Sequence, residues 1–401
     1  MTPLRILHVV PYYEHAWAYG GIPRLATTMT RVLARRGHHV TVFTTDVRDA
    51  GSRVYPPAAA GDRVEVRMFP NLSNRLAYHL GLFTPLGLRA RMRETASSFD
   101  LAHLHACHNL PGTIAASELS RAAVPYVVSP NGTALPIERR IAAKRLFAAT
   151  IGRRMLAEAA RVVAVSTAEV AQLERLGVDT NRIATIPNPI DETEFDRRPD
   201  GVSFRRSRGL GSRPVVLFLG KITPRKGVDH LVRAFASLER PDAVLVIAGN
   251  DMGADAAVRG AIAECHVGAR VIRTGLLSGA ERLDALAAAE VLAYPSRDEV
   301  FGLVPLEGLM CGTPVVVCDD CGCGEVIRLT GGGLIVPFGE TRALGEALET
   351  ILTHRQSWRA RAAQGAVVAR RLFGADVVAR QLERLYAGVT AGRPAAVRMR
   401  A

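Results

Sequence analysis

Short apolar runs rich in β-branched residues alternate with longer stretches rich in alanine, leucine and arginine along most of the chain. The short runs predict buried strands, and the longer stretches predict amphipathic helices. The first such unit has a predicted strand at residues 4–10, a helix at 22–36 that Gly20 and Gly21 precede, and a strand at 40–44. A strand, a helix and a strand within about 40 residues form a βαβ unit, which implies a parallel sheet.

The same alternation continues in both halves of the chain. In the first half it predicts strands at 101–105, 126–129, 161–165 and 183–186, and helices at 112–121 and 139–160. In the second half it predicts strands at 215–219, 243–248, 270–274, 291–294, 314–317 and 334–336, and helices at 228–238, 254–264, 280–289, 302–311, 342–353 and 355–389. We therefore predict an α/β protein with two doubly wound, Rossmann-like domains.

Residues 191–213 are charged and rich in proline and glycine, which predicts an interdomain linker. We expect an N-terminal acceptor domain at 1–200, a donor domain at 201–375, and a C-terminal helix at 376–401 that packs back on the first domain. Ligands of doubly wound sheets bind at the carboxyl ends of strands, so the expected active site is a cleft between the two domains.

The composition is that of a globular protein, with 48% hydrophobic and 22% charged residues. It excludes a disordered or collagen-like chain, and the six cysteines are too few and scattered for a disulfide framework. No apolar run approaches the roughly 18 residues of a membrane span, and the N-terminal apolar run is too short for a signal peptide. We therefore expect a cytoplasmic protein.

Arginine dominates the charge of the chain. The 51 basic and 38 acidic residues give a net charge of +13, yet only three of the basic residues are lysines, at Lys144, Lys221 and Lys226. No block forms a basic tail, so nothing favours a nucleic-acid partner. A diffuse positive charge suits anionic ligands or an anionic membrane surface.

Two segments carry candidate chemistry. Residues 220–227 follow a predicted strand and open a helix, so that Lys221, Arg225 and Lys226 can converge on an anion, although a solvated basic loop would look the same. Residues 296–308 place Glu299 in a loop and Glu307 in the next helix, whose first amides can hold phosphate. Glu307 could accept hydrogen bonds from ribose hydroxyls, and the alternative is that both glutamates are ordinary surface charges.

Together these segments resemble the retaining glycosyltransferases of family 4, which have the GT-B fold of two Rossmann-like domains facing each other across a cleft. The matching features are Gly20-Gly21, His103-Leu104-His105, the lysines and glycines of 220–227, Glu299 with Glu307, Gly312-Thr313-Pro314-Val315 and Gly324-Glu325. The resemblance covers most of the chain and is strongest over residues 215–340.

The resemblance implies a role for each matched residue. Lys221 and Lys226 would bind the donor pyrophosphate and stabilise the leaving phosphate. Glu299 would face the transferred sugar, His105 would lie near its reacting face, and Glu307 would meet the ribose.

Further donor-binding residues are implied in the same way. Gly20 and Gly21 would let the backbone approach the donor or the acceptor, and Leu276 would contact the base. The remaining members of this set are Arg225, Phe301, Gly302, Leu303 and Val304. The chain departs from the family's usual arginine at Lys221 and from its usual glycine at Val300, so bidentate phosphate contact is lost and the sugar pocket is altered.

The implied activity is transfer of a hexose from a UDP- or GDP-sugar, with retention, to a glycan or lipid-linked acceptor in cell-envelope or exopolysaccharide synthesis. The chain has no Asp-x-Asp, so a metal-bridged pyrophosphate is not indicated, and the nucleotide-diphospho sugar is a co-substrate with no further cofactor. The alternatives are an epimerase or a phosphorylase of the same fold, or a non-catalytic nucleotide-binding scaffold.

Three further clusters remain open from the sequence. Either His103 or His105 packs in the protein interior, and we favour His105 for the site. Residues 318–323, with three cysteines, are either a zinc site or a glycine-rich loop beside the donor. The basic segment at 139–154 is either a solvated face or a docking surface for anionic lipid, which would place the protein at the inner face of the membrane.

Overall fold

The computed structural model describes residues 2–55, 63–135, 152–277 and 279–391. These residues form two compact units. One contains the chain up to Pro189 together with the C-terminal part from Ala375, and the other is Ile190–Gly374. The first boundary therefore precedes the expected one at residue 200.

The first unit contains a parallel sheet with helices packed around it. Its strands are β1 (Arg5–Val9), β2 (His39–Thr45), β3 (Val64–Phe69), β4 (Leu101–His105), β5 (Tyr126–Ser129), β6 (Arg161–Ala164) and β7 (Ile183–Thr185). Its helices are α1 (Gly21–Arg35), α2 (Asn74–Leu80), α3 (Leu88–Thr95), α4 (Leu110–Arg121), α5 (Arg153–Ala157) and α6 (Thr167–Arg175). The strand order is β3-β2-β1-β4-β5-β6-β7, so the chain winds outward from β1 in both directions.

The second unit repeats this architecture. Its strands are β8 (Val215–Leu219), β9 (Val244–Ala248), β10 (Val271–Gly275), β11 (Val291–Tyr294), β12 (Val315–Cys318) and β13 (Gly333–Val336). Its helices are α7 (Gly201–Ser207), α8 (Val228–Ala236), α9 (Asp255–Glu264), α10 (Gly279–Ala288), α11 (Leu303–Met310), α12 (Gly322–Thr330), α13 (Thr341–Thr353) and α14 (Arg355–Phe373). The sheet is parallel, in the order β10-β9-β8-β11-β12-β13. Its central strands β8, β9, β11 and β12 are buried along their whole length, as a sheet covered on both faces requires.

Side-chain caps start several of the helices. The Asn109 side chain accepts a hydrogen bond from the Gly112 amide at 2.7 Å and so starts α4. Ser166 caps α6 in the same way, with the Glu169 amide at 3.2 Å. The strand β3 was not predicted, because it lies at the sheet edge and several of its side chains are exposed.

Two predictions from the sequence were wrong. The segment predicted as a linker contains α7, which Asp200 caps through the Ser203 amide at 2.9 Å and which buries Phe204. The helix predicted over 355–389 is two helices, α14 and α15 (Ala375–Ala391), because Gly374 has extended backbone with ψ 144°.

The last helix, α15, belongs to the first unit, where it packs on α1 and β4. Glu383 accepts hydrogen bonds from Arg36 Nε at 2.7 Å and Arg36 Nη2 at 3.0 Å. The buried Tyr386 hydroxyl lies 2.6 Å from His103 Nδ1 on β4. The C-terminal helix therefore completes the covering of the first sheet.

None of the helices in the described ranges is both long enough and apolar enough to cross a bilayer. Most of the basic segment predicted at 139–154, including Arg139, Arg140, Lys144 and Arg145, lies outside the described residues.

Candidate active site

Two loops meet at the carboxyl ends of neighbouring strands in the second unit. Strands β8 and β11 pair in the sheet, with Val216 opposite Val291 and Leu217 opposite Leu292. The loop at 220–227 follows β8, and the loop at 295–302 follows β11. The Arg297 amide donates to the Arg225 carbonyl at 2.9 Å and so joins the loops directly.

The Lys226 ammonium is the centre of this junction. It is buried, and it donates hydrogen bonds to the carboxylate of Glu299 and the hydroxyl of Tyr294. Its Nζ also lies 4.3 Å from the centroid of the Tyr294 ring, a cation–π contact. The Tyr294 hydroxyl lies 3.3 Å from Glu299 Oε2, which closes a triangle of three polar groups.

Burial and charge act in opposite directions on the pKa values of this pair. Burial by itself would raise the pKa of Glu299, but the cations Lys226 and Arg225 outweigh it and bring that pKa to about 2. Burial lowers the pKa of Lys226, and the Glu299 carboxylate opposes that effect. The pair is therefore an ammonium beside a carboxylate, held in a site with little water.

Two more predicted cations lie near Glu299. Arg225 Nη1 lies 3.4 Å from Glu299 Oε2 and donates to the Asp298 carbonyl at 3.3 Å. The charge of Lys221 also lowers the pKa of Glu299. The structure thus groups Lys221, Arg225, Lys226 and Glu299, as the two motifs predicted.

The first turn of α11 borders the same loop. Gly302 precedes it with a left-handed φ of 86°, and Leu303 and Val304 supply its first residues. Their amides belong to the unpaired donors of a helix start, a feature suited to phosphate. The Phe301 side chain is buried against Phe373, with ring centroids 5.4 Å apart, so it packs in the core.

Glu307 has a partner that the sequence did not identify. Its buried carboxylate pairs with Arg282 of α10, and Arg282 Nη2 also donates to Glu194 at 2.5 Å. Arg282 is itself buried. The sequence does not distinguish Arg282 from the other 47 arginines as a buried residue. The one available signal is that it lies on the apolar side of α10 with Leu283 and Leu286.

The remaining donor-side residue, Leu276, lies directly after β10 and is half exposed. The cysteines Cys318, Cys321 and Cys323 are buried, and Cys321 precedes α12. Cys321 Sγ lies 3.5 Å from the Ser296 carbonyl. This contact joins the cysteine loop to the loop that carries Glu299.

The predicted histidines lie in the first unit, in a buried cluster. His8 of β1 is the register partner of His103 on β4, and His105 lies two residues further along the same face. His8 Nδ1 and His105 Nε2 share a hydrogen bond of 3.0 Å, and His103 Nε2 lies 2.7 Å from Ser129 Oγ. The involvement of His8 was not predicted, because only the strand register reveals it.

All three imidazoles are uncharged near neutral pH. Burial lowers the pKa of His105 to about 3, and it lowers the pKa of His8 and His103 well below the ordinary value. Within the described ranges this trio is the only group whose ligand atoms are close enough to share a metal ion. The rings of His103 and His105 stack 4.4 Å apart, however, and both nitrogens of His103 have hydrogen-bond partners, so the cluster is not arranged around a common metal.

The glycines near the N-terminus mark the start of α1. Gly20 has a φ of 101°, and α1 begins at Gly21. His108, the third histidine of the segment, lies 2.8 Å from the Ala134 carbonyl through its Nε2.

Two family profiles match the chain. The family described as Glycosyl transferases group 1 matches residues 203–366, and that described as Glycosyltransferase Family 4 matches residues 19–194. The chain is 32% identical over 394 residues to D-inositol 3-phosphate glycosyltransferase of Xylanimonas cellulosilytica, covering 94% of this chain and 93% of the relative. It is 28% identical over 420 residues to 2-deoxystreptamine N-acetyl-D-glucosaminyltransferase of Streptomyces fradiae, covering 97% and 98%.

Solved structures share the fold. The chain is similar to HepE of Anabaena, whose crystal structure is a complex with UDP, with a TM-score of 0.74 and 20% identity over 96% of this chain and 100% of that one. HepE has also been solved with UDP-glucose, at a TM-score of 0.73 and 19% identity over 96% and 100%.

Proposed function

Because the chain belongs to glycosyltransferase family 4 and so transfers a sugar from a nucleotide sugar, we propose that it moves a hexose from a UDP- or GDP-sugar with retention and without a metal ion. The observation that carries the proposal is the buried Lys226–Glu299 pair with Arg225 beside it. A buried ammonium of this kind suits a dianionic diphosphate, and UDP in the HepE complexes is consistent with it.

The cations have a defined task in the transfer. The bond between the anomeric carbon and the diphosphate oxygen breaks, and negative charge grows on the leaving phosphate. Lys226, Arg225 and Lys221 stabilise that charge, with the first amides of α11 as further donors. The acceptor oxygen forms the new bond on the same face of the sugar, and its proton goes to the leaving phosphate oxygen.

Before the donor binds, Glu299 forms an ion pair with Lys226 and so positions its ammonium group. Because its pKa is about 2, the carboxylate is ionised at neutral pH and opposes the lowering of the Lys226 pKa by burial. When the donor diphosphate binds, it replaces Glu299 as the partner of the Lys226 ammonium. Glu299 can then accept hydrogen bonds from hydroxyls of the transferred sugar. Glu307, whose carboxylate is ion-paired with Arg282, would accept hydrogen bonds from the ribose hydroxyls.

His105 acts as a neutral hydrogen-bonding group. Because its pKa is about 3, His105 is a neutral imidazole near neutral pH and does not act as an imidazolium. Its Nδ1 is buried and has no hydrogen-bond partner among the described residues, so a sugar hydroxyl that reached it would meet no competing hydrogen bond. Gly20 and Gly21 would admit the donor or the acceptor close to the backbone.

Two acceptor classes follow from different observations. A glycan or lipid-linked acceptor in envelope polysaccharide synthesis is the family's common setting. The relatives from Xylanimonas and Streptomyces carry names with a cyclitol, D-inositol 3-phosphate or 2-deoxystreptamine, which favours a small polyol acceptor as the second candidate.

Calorimetric binding of UDP and GDP, each with and without EDTA, tests the donor assignment. We expect one nucleotide to bind selectively and EDTA to have no effect. Binding that EDTA abolishes would overturn the metal-independent transfer. Absent binding of both nucleotides would overturn the UDP or GDP assignment, and would mean that the donor has another base or that the loop at 220–227 is not a phosphate site.

Release of nucleoside diphosphate from the matching sugar nucleotide then tests the reaction. A transferase should release it faster when acceptors of the correct class are added, with cyclitols and lipid-linked glycans compared in parallel. Release that no acceptor accelerates would favour an epimerase.

A further inference from the structure

Arg282 is a buried cation between two carboxylates of the second unit. Its Nη2 donates a hydrogen bond to Glu194 Oε2 at 2.5 Å, and its Nη1 pairs with Glu307 Oε2. Arg282 and Glu307 are buried, whereas the Glu194 side chain is partly exposed. Since arginine is almost never fully buried without a partner, these two contacts account for its position.

The three side chains come from separate elements that the fold brings together. Glu194 lies on the short 3-10 turn Glu192–Phe195, close to where the chain enters the second unit. Arg282 lies on α10 and Glu307 in the second turn of α11, and these two helices pack on each other. Arg282 therefore reaches from its own helix to both neighbouring elements.

Glu307 lies one turn beyond the part of α11 that borders the candidate active site. Gly302 and Leu303 start that helix, directly after the loop that carries Glu299. A nucleoside diphosphate carries its ribose next to its phosphates. Because the first amides of α11 suit phosphate, Glu307 is the acidic residue of this helix that suits the ribose.

Stability alone does not explain a buried ion pair at this place. Taking a guanidinium and a carboxylate out of water offsets much of their attraction, and apolar residues in place of such a pair often leave a fold equally stable. Leu286, four residues after Arg282 on α10, is apolar and buried, so an apolar side chain would suit this side of the helix. An apolar residue would, however, take away the cation that Glu307 contacts.

The planar guanidinium gives Arg282 two donors in a fixed geometry. One end contacts Glu194 and the other contacts Glu307, so the group cannot turn without losing a partner. A carboxylate has about four acceptor sites, so it can accept hydrogen bonds from hydroxyls while it is paired with a cation. A lysine ammonium is a point charge without this fork and would not fix the carboxylate in the same way.

We propose that Arg282 is a positioning residue for nucleotide binding, which holds the Glu307 carboxylate in place for the ribose hydroxyls. The inference rests on the proposed assignment of Glu307 to the ribose, and it adds the group that orients that carboxylate. Arg282 acts through Glu307 and does not itself touch the nucleotide. The consequence is selectivity for a nucleoside diphosphate that has both ribose hydroxyls over the same compound without them.

Calorimetry with a ribonucleotide and its 2′,3′-dideoxy analogue tests the proposal on the full chain. The ribonucleotide is whichever of UDP and GDP binds more tightly. The unaltered protein should bind it about tenfold or more tightly than the dideoxy form, since the hydroxyls donate to a charged carboxylate. In Arg282→Met this preference should fall to about threefold or less, with the affinity for the dideoxy form changed by less than about twofold.

Two further variants separate positioning from folding. Arg282→Lys keeps the charge without the planar fork, so its preference should lie between those of the unaltered protein and Arg282→Met. It decides the question if Arg282→Met does not fold. Arg205→Met is the matched control, because Arg205 is a partly buried arginine of the same unit that pairs with Glu290 at 2.7 Å. It should keep the full preference for the ribonucleotide.

The outcomes distinguish this inference from the proposed function. An unchanged preference in both Arg282 variants, or an equal loss in Arg205→Met, would overturn the positioning role and leave the donor assignment intact. An unaltered protein that binds both forms equally would remove the ribose role of Glu307, and the inference with it. Absent binding of both UDP and GDP is a different failure, because it overturns the donor assignment itself together with this inference.

Discussion

At the scale of single residues, the site depends on a cation placed where burial disfavours it. Burial lowers the pKa of Lys226 and the Glu299 carboxylate opposes that effect, while Glu299 stays ionised because Lys226 and Arg225 lie beside it. Removing one partner leaves the other buried without compensation, and such losses cost about 3–5 kcal/mol.

Lys226→Met should therefore reduce both turnover and stability. We expect turnover to fall by about 10² to 10³-fold, since the leaving phosphate loses its main buried cation. The double variant Lys226→Met, Glu299→Gln should recover most of the free energy of unfolding without recovering turnover. Steady-state kinetics and urea unfolding check this, and unchanged turnover in Lys226→Met would remove the phosphate-stabilising role.

Gly302 offers a second prediction at this scale. Its φ of 86° costs a side-chain-bearing residue about 1–2 kcal/mol, and a Cβ there would overlap the Cys323 sulfur. Gly331 has a φ of 71° but open space around it. Gly302→Ala should lower the free energy of unfolding by about 1–3 kcal/mol more than Gly331→Ala.

Urea unfolding followed by Trp358 fluorescence in a Trp17→Phe background measures this difference in the second unit. Adding Cys323→Ala to Gly302→Ala should recover the part of the unfolding free energy that is lost through overlap with the Cys323 sulfur. Equal losses for the two glycine variants would show that the sulfur imposes no constraint.

At the scale of elements, the C-terminal helix α15 shows how a distant segment completes a domain. The alternating pattern predicted β1, β2, β4 and β5 closely, because their side chains are buried on both faces. Helix propensity alone did not predict the break at Gly374. The attachment of α15 depends on an ion pair between residues that are more than 340 positions apart in the sequence.

Glu383→Gln tests this attachment. The hydrogen bond from Arg36 is the main cause that lowers the pKa of Glu383, and the substitution should cost about 1–2 kcal/mol. A depressed folded-state pKa stabilises the fold above the unfolded-state value, so the cost should shrink as the pH falls below about 4. Asp376→Asn removes an exposed contact of the same arginine and should cost under about 0.5 kcal/mol.

Trp17 fluorescence in a Trp358→Phe background reports the unfolding of the first unit in both variants. Equal losses of unfolding free energy for Glu383→Gln and Asp376→Asn would mean that the Glu383 contact with Arg36 stabilises the first unit no more than the exposed Asp376 contact does.

At the scale of the whole molecule, the buried histidines predict acid sensitivity of the first unit. His105 has a folded-state pKa of about 3, and His8 and His103 are lowered in the same direction. Below the unfolded-state value of 6.5 the unfolded chain binds more protons, so stability falls as the pH decreases toward 3. Each such group contributes at most about 1.4 kcal/mol per pH unit.

His105→Gln should therefore make the decline of unfolding free energy between pH 6 and pH 5 shallower by about 1 kcal/mol per pH unit. His39→Gln, which replaces an exposed histidine on β2, should leave the slope unchanged. Urea unfolding with Trp17 as the reporter checks both, and identical slopes in all three proteins would contradict a buried neutral imidazole.

By itself, the sequence determined the two series of parallel strands and the two loops that carry Lys221, Lys226 and Glu299. Periodicity and glycine placement are local properties, and parallel neighbours bring their carboxyl ends to one edge. Only the tertiary structure decided that His8 joins His105 and that Arg282 pairs with Glu307. Those contacts depend on strand register and helix packing, which are set by residues far apart in the chain.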